Sequence, residues 1–447
     1  MRIDGYRAAA LSAALTIRLA APAAGQHQHG PGQTTMPGEH AMWSAGLGGG
    51  WTLLGMGQAF PIVTIGAPFE DDSPLRDTGW YLTQPAAMAN FESPGSRFVL
   101  RTTVDLEGLT QNDGELTFGA WGEGFLDRRH PHTILHEAMV SFNAWNALGG
   151  SASLSAGRGF APFGTDDPMS RPVVKYPTNH HLSQILERWT ISGTFLSAGW
   201  SIEAGVFAGT EPDGPYDLSN IQGFGKSWSA RVARRWGRGD GPFAEWEASF
   251  SFGNVSEDDG AMERTNLWNA SLRHESPRLY ALLEGSLADP RDEDNGYSVL
   301  GEARLVRGMH RPYARIELAT RPEFVRLGAP GTDDFFRYDH DAEPIGATRW
   351  LIATLGYGYE ATRYPVSVRP FVEVQYNRVS EERNIQPEAL FGTANFWALS
   401  LGARIFLGGD PMRMGTYGVL DPMTVMHRSA VDSQQSTVDS RQSRVKS

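Results

Sequence analysis

The chain has 447 residues and a formal net charge of −12 at pH 7, and it contains no cysteine. The acidic balance argues against a nucleic-acid-binding surface. The lack of thiols excludes disulfide frameworks and thiolate metal sites.

The first 25 residues have the features of a secretory signal peptide. Arg2 and Arg7 form a basic start, residues 8–21 are small and apolar, and residues 21–25 offer cleavage sites. Arg18 interrupts this stretch, and no other stretch approaches the roughly 18 apolar residues of a membrane-spanning helix. We therefore expect an exported protein. Residues 26–46 contain Gly, Pro and His without periodicity, which predicts a mobile N-terminal segment.

A two-residue alternation then recurs along the chain. In residues 97–107, Phe98 and Leu100 lie on one face of a predicted strand, whereas Arg101 and Asp105 lie on the other. Residues 366–377 repeat the pattern. These runs have the length that a tilted strand needs to cross a bilayer, about 9–11 residues. Only a closed barrel allows strands to span a membrane, because no backbone group can stay unpaired in lipid.

The sequence therefore predicts an all-β fold, a single closed antiparallel transmembrane β-barrel over residues 47–407 in a bacterial outer membrane. The 51 glycines and 13 tryptophans fit this prediction, because Gly permits bends and Trp lies at membrane interfaces. The strand candidates are 51–60, 80–91, 97–108, 115–125, 135–145, 151–159, 185–196, 200–208, 227–236, 243–252, 265–274, 279–287, 297–306, 313–320, 348–359, 366–379 and 396–406. Since such barrels prefer even strand numbers, we expect about 16 strands (range 14–18), with 51–60 or 80–91 outside the barrel.

The connections between these strands predict an orientation. The short ones, at 196–200, 235–241 and 362–364, are typical of periplasmic turns. The long ones, at 162–183, 210–226 and 322–345, are typical of extracellular loops or inward-folded constrictions. From residue 408 onward the alternation stops, and the polar composition of residues 429–447 predicts that the tail 408–447 is mostly disordered.

Charged residues on the polar face of the strands must point into the lumen, because each would cost roughly 2–4 kcal/mol on the lipid side near the midplane. The predicted pore-lining residues are Arg101, Asp105, Arg231, Glu245, Glu302, Arg304, Arg315, Glu317, Arg369 and Glu373. Both signs of charge occur on neighbouring strands. Such charges either pair and fill a narrow lumen or line water and create the field of a diffusion pore.

Two histidine groups are candidate metal or catalytic residues. One is His130-Pro131-His132 with His136 nearby, and the other is His180-His181. Neutral imidazoles can bind zinc or copper, although a Pro-containing turn is also a structural feature. For a hydrolase that uses His130, His132 or His180 as a base, Ser141 and Ser183 are the nearest hydroxyls in sequence.

The segments on either side of the barrel are rich in soft metal ligands. The candidates are His27, His29, Met36, His40, Met42, Met412 and Met414, followed by Met423, Met426 and His427. Thioether and imidazole together suit copper. Low-complexity tails with incidental methionines are the alternative explanation.

Three ordered motifs resemble a family of uncharacterised bacterial outer-membrane proteins, which carry D-R-Q-H-P-H, a paired histidine and an R-E-P-D loop. The matching residues are Asp127, Arg128, His130, Pro131, His132, His180, His181, Glu211, Pro212 and Asp213. The resemblance covers roughly residues 50–407 and departs at Arg129, where the family has Gln, and in the C-terminal tail. It implies a porin-like barrel, and family members often occur beside copper or heavy-metal resistance functions. Separately, residues 157–164 look like a strand end of anion-type porins.

Taken together, the sequence predicts a porin-like barrel that admits small solutes or ions and contacts outer-membrane lipids, with no enzymatic activity and no required cofactor. A link to copper or heavy-metal homeostasis, with copper as a ligand, and a homo-oligomeric state are further expectations. The alternatives are a barrel-embedded hydrolase and a non-conducting protein that sequesters metal.

Overall fold

The computed structural model describes residues 43–68, 78–110, 133–175, 180–212, 214–256, 264–290, 295–323, 326–327, 337–338, 345–363, 365–408 and 413–431. The strands are β1 Trp43–Gly48, β2 Trp51–Pro68, β3 Thr78–Glu92, β4 Phe98–Asp105, β5 Leu135–Ala147, β6 Gly150–Gly159, β7 Arg188–Ser197, β8 Trp200–Phe207, β9 Ser227–Trp236, β10 Trp246–Ser256, β11 Arg264–Glu275, β12 Leu279–Pro290, β13 Gly296–Leu305, β14 His310–Glu323, β15 Arg326–Leu327, β16 Arg337–Tyr338, β17 Gly346–Tyr359, β18 Ala361–Arg363, β19 Val366–Arg383 and β20 Asn395–Leu407.

The helices of the described residues are short. They are Glu107–Thr110, His180–Ser183, Pro387–Phe391 and residues 422–431, with 3-10 turns at Pro94–Ser96, Pro168–Ser170, Gly241–Phe243 and Gly418–Leu420. Within the described residues, no helix has both the length and the apolar character needed to cross a bilayer.

The strands form a closed antiparallel barrel in which each strand pairs with its neighbours in the chain and β20 pairs with β2. In the described residues the wall has 16 strands, as predicted. Four of the shorter strands add nothing to that number. β15 and β16 pair only with each other, outside the wall. β18 continues β17 along β19, and β1 pairs only with the first residues of β2, beside the end of β20.

The expectation that 51–60 or 80–91 lies outside the barrel is wrong, because β2 and β3 both belong to the wall. Strand β2 continues beyond the predicted run 51–60 and includes Pro61. The ladder between β2 and β20 is interrupted between Ala59 and Ile62, so the missing N–H of Pro61 breaks no pair there. The candidate 115–125 lies outside the described residues.

The outer surface of the wall is an apolar belt. Outward side chains such as Leu100, Ile316, Leu355 and Leu401 are exposed, while their strand neighbours are buried inside the barrel. Exposed aromatic residues mark both rims: Trp51, Trp200, Trp236 and Tyr359 lie near the short turns, and Trp80, Trp228, Trp268 and Trp397 lie near the long connections. An apolar band between two aromatic girdles is the surface of a barrel in a bilayer. Together with the short turns at one end and the long loops at the other, this is the architecture of a bacterial outer-membrane barrel.

Candidate functional site

The interior of the barrel is lined with charged side chains that are almost inaccessible to solvent. Arg101, Asp105, Arg231, Glu302, Arg315, Glu317, Arg369 and Glu373 all lie on the inner wall with exposures of 0–4%. Arg304 also points inward, with its guanidinium 5.9 Å from the ring centre of Tyr280. The structure therefore brings together all but one of the predicted lumen residues. Their part in a pore stays a prediction.

Glu245 is the exception, and its placement on the inner wall is wrong. Strand β10 begins at Trp246, so Glu245 precedes the strand and lies in the turn after β9. Its carboxylate is 3.6 Å from the guanidinium of the exposed Arg238. Glu247, two residues later and in the same phase, is the inward-facing carboxylate of this strand.

Strand register places opposite charges face to face along the wall. Glu203 on β8 is opposite Arg231 on β9, and their side chains are 2.9 Å apart. Glu247 on β10 lies 2.9 Å from Arg231 and 2.5 Å from Arg235. On the other side of the barrel, Glu302 of β13 faces Arg315 of β14 at 2.8 Å. These contacts show that the described charges of the wall are paired; a narrow lumen stays a prediction.

The described residues of the connection between β6 and β7, 160–175 and 180–187, fold into the lumen; we call them the inward loop. Arg171 of this loop reaches Glu284 on β12 at 3.2 Å, and Lys175 reaches Glu373 on β19 at 3.5 Å. Burial lowers the pKa of Lys175, and the carboxylate of Glu373 opposes that shift. The loop thus crosses from β6 to the far wall, which confirms the inward-folded alternative for this connection.

Backbone contacts hold the inward loop in place. Arg404 of β20 donates hydrogen bonds to the carbonyl oxygens of Arg171 (2.8 Å) and Met169 (3.2 Å). Gly164, with φ +68°, lies so close to the other arm of the loop that a Cβ would be 1.5 Å from the carbonyl oxygen of Ser183. Only glycine allows this close approach without strain.

Residues 413–431, which we call the C-terminal segment, fold against the inner wall, with residues 417–424 buried and residues 429–431 exposed. The expectation that the tail 408–447 is mostly disordered is therefore wrong for these residues. Arg413 lies 2.8 Å from Glu247 and 2.5 Å from Asp166 of the inward loop, and Asp421 lies 3.2 Å from Arg101. The polar residues 429–447, whose composition predicted disorder, lie outside the described residues from 432 onward.

Five methionines meet where the C-terminal segment contacts the wall and the inward loop. Met56 and Met88 come from β2 and β3, Met169 from the inward loop, and Met414 and Met423 from the C-terminal segment. Leu54 and Ala86 complete this apolar cluster, which we call the methionine cluster. Met414, predicted as a ligand on a flexible tail, is 1% exposed. The other predicted tail ligands His27, His29, Met36, His40, Met42 and Met412 lie outside the described residues.

The histidine motifs are only partly described. Residues 127–132, which include His130 and His132, lie outside the described residues, as do Asp213 and the side chain of His181. His180 is buried in a single helical turn, and the Ser183 hydroxyl donates to its backbone carbonyl at 3.3 Å rather than to its ring. Ser141 is hydrogen-bonded to Ser155 at 2.7 Å. Neither hydroxyl thus shows the nucleophile–base contact of a hydrolase.

A network that sequence reasoning missed lies at the long-loop end of β5–β8. The ring Nδ1 of His136 is 2.8 Å from the carboxylate of Glu187, which also accepts from the backbone N–H of Thr133 at 2.9 Å. Glu211 of the predicted E-P-D motif pairs with Arg188 at 2.6 Å, and Pro212 beside it is buried. These contacts hold the loops against the wall. They give Glu211 a structural role.

No known protein-family model matches the chain, and no curated protein matches its sequence. Solved structures of outer-membrane barrels are similar in shape. An anion-selective porin from Comamonas acidovorans is 12% identical over 82% of this chain and 100% of its own, with a TM-score of 0.46. Outer-membrane expressed OmpT of Vibrio cholerae is 10% identical over 82% and 99%, with a TM-score of 0.46. Pseudomonas putida OprB is 12% identical over 80% and 94%, with a TM-score of 0.44. Likenesses this distant carry no information on solute or activity.

Proposed function

We propose that the chain is a porin-like barrel of a bacterial outer membrane that lets small solutes or ions diffuse through a narrow lumen. The observation that carries this proposal is the charged inner wall of a closed barrel, crossed by the inward loop. A wall that served only to anchor the protein in lipid would not need charged side chains from β8–β10, β13–β14 and β19 to converge on its axis. Surrounding outer-membrane lipids and the passing solute are the partners that the proposal requires, and a homo-oligomer stays a prediction.

The paired charges imply a small conductance. Because the inward-facing carboxylates and guanidinium groups are in contact, ions must pass between filled networks rather than through a wide aqueous channel.

Planar-bilayer recording of the refolded protein tests this proposal. We expect discrete, small conductance steps, and larger steps in Arg171→Ala, because the inward loop then loses its contact with Glu284. Arg238→Ala is the matched control, since Arg238 is exposed in a turn. Steps absent from both the native chain and Arg171→Ala would contradict a diffusion pore.

A second function, copper binding, is favoured by the methionine cluster. We propose that its thioethers, rather than flexible tails, form the soft-ligand site, because five sulfur-bearing side chains converge from three parts of the chain. Thioethers select Cu(I) over Zn(II). The imidazole of His427 is hydrogen-bonded to Glu92 at 2.9 Å and is not a member of the cluster.

Anaerobic titration with Cu(I) tests the second proposal. We expect the double variant Met414→Leu, Met423→Leu to lose Cu(I) uptake with little loss of stability, because Leu for Met nearly conserves volume. Met309→Leu, at an exposed turn outside the cluster, is the control and should bind as the native chain does. Equal Cu(I) uptake by the native chain, the double variant and Met309→Leu would show that the cluster serves only for packing.

A further inference from the structure

We propose that the C-terminal segment is a displaceable plug, which closes the lumen at the short-turn end and opens it by leaving. The inference goes beyond the proposed diffusion function, and it rests on that function only for the effect on conductance.

The segment fits along the inner wall of β3–β7. Tyr417 donates its hydroxyl to Glu137 of β5 at 2.8 Å and accepts from the N–H of Phe160 at 2.9 Å. The chain then returns toward the short turns, where Thr424 and His427 contact Glu92 at 2.8 and 2.9 Å. The segment therefore occupies the lumen from the start of the inward loop to the short-turn rim.

Arg101 and Glu247, two charged wall groups that bind the segment, also have charged partners on the wall, and Glu92, which contacts His427, accepts from the hydroxyl of Ser96 as well. Arg101, which binds Asp421, also lies 3.3 Å from Glu137. Glu247, which binds Arg413, keeps Arg231 and Arg235. Removing one partner of a buried pair is costly when the other charge stays uncompensated. Here each of these two wall groups keeps a wall partner, so that cost does not hold the segment in the lumen.

The barrel also closes without the segment. The ladders of β20 with β19 and with β2 run up to Leu407, before the segment begins. The apolar part of the contact includes the methionine cluster, whose unbranched thioethers repack readily, and the packing of Tyr417 against Met139, Phe160 and Leu186. Departure of the segment therefore exchanges side-chain contacts for water and leaves the strand pairing intact.

A reversible crosslink tests the plug. Because the chain has no cysteine, the variant Glu92→Cys, His427→Cys can be joined by a reducible thiol crosslinker at the His427–Glu92 contact. The readouts are conductance and the rate of tryptic cleavage after Arg413, a bond that trypsin reaches only when the segment leaves the lumen. We expect crosslinking to slow cleavage on the order of 100-fold, because it makes return of the segment intramolecular, and to suppress the conductance steps of the uncrosslinked variant. Reduction should reverse both effects.

Three controls make the result decisive. Arg349→Cys, Glu382→Cys joins a surface ion pair between β17 and β19 with the same reagent, and it should change neither readout. A difference in gel migration between heated and unheated samples verifies that each variant is folded. Asp421→Asn, without cysteines, should cleave faster than the native chain. Cleavage after Arg413 that is equal with and without the crosslink would overturn the plug. If crosslinking slows cleavage but neither the crosslinked nor the reduced protein conducts, the result would support displacement of the segment and contradict the diffusion function.

Discussion

Glu247→Ala should destabilise the folded barrel by roughly 3–5 kcal/mol, the range measured when a buried charge pair loses one partner. Glu247 lies among three guanidinium groups, those of Arg231, Arg235 and Arg413, at 2.9, 2.5 and 2.8 Å. Without the carboxylate, Arg231 keeps Glu203 and Arg413 keeps Asp166, but Arg235 loses the carboxylate it contacts, and the 2–4% exposure of the wall residues leaves little water to screen it. The midpoint of urea unfolding in lipid vesicles measures the loss.

Glu247→Gln and Glu245→Ala are the matched comparisons. The amide keeps the shape and part of the hydrogen bonding, so Glu247→Gln should lose less stability than Glu247→Ala. Glu245 contacts only a highly exposed arginine among its described ion pairs, so its removal should cost at most about 1 kcal/mol. A Glu247→Ala loss as small as that of Glu245→Ala would show that the network is solvated.

Alternation was enough to predict most of the barrel wall. The expected strand 366–379 corresponds to β19, Val366–Arg383, and the expected strand 97–108 corresponds to β4, Phe98–Asp105. The reason is physical: a shift of one residue would move Arg369 and Glu373 into lipid, so the pattern allows a single register. Arg404 follows the same alternation on β20 and could have been predicted from it.

The contents of the lumen could not be predicted in this way. Arg171, Lys175 and Arg413 lie in connections without periodicity, and their partners are distant in sequence. Tyr417 and Glu137, for example, are 280 residues apart. The C-terminal segment has no two-residue alternation, and its buried side chains, such as Met414 and Met423, pack against residues that are distant in sequence. The fold of the C-terminal segment can therefore be recognised only when the positions of the wall residues that it contacts are known.

A spin-label scan along β19 tests most directly whether a polar-lined barrel spans the membrane. Since the native chain has no cysteine, single cysteines at 371–376 can each carry a nitroxide in lipid vesicles. Val372 and Val374 are exposed on the outer belt, at 38% and 40%, whereas Glu373 and Gln375 are buried inside, at 0% and 3%. Dissolved oxygen concentrates in the bilayer, so its collision rate reports contact with lipid.

We expect oxygen accessibility to alternate with a period of two, high at 372, 374 and 376 and low at 371, 373 and 375. The large contrast between adjacent residues follows from the pleat, which sends successive side chains to opposite faces of the strand. High oxygen accessibility at 373 and 375, or no alternation at all, would contradict a membrane-spanning barrel with a charged interior.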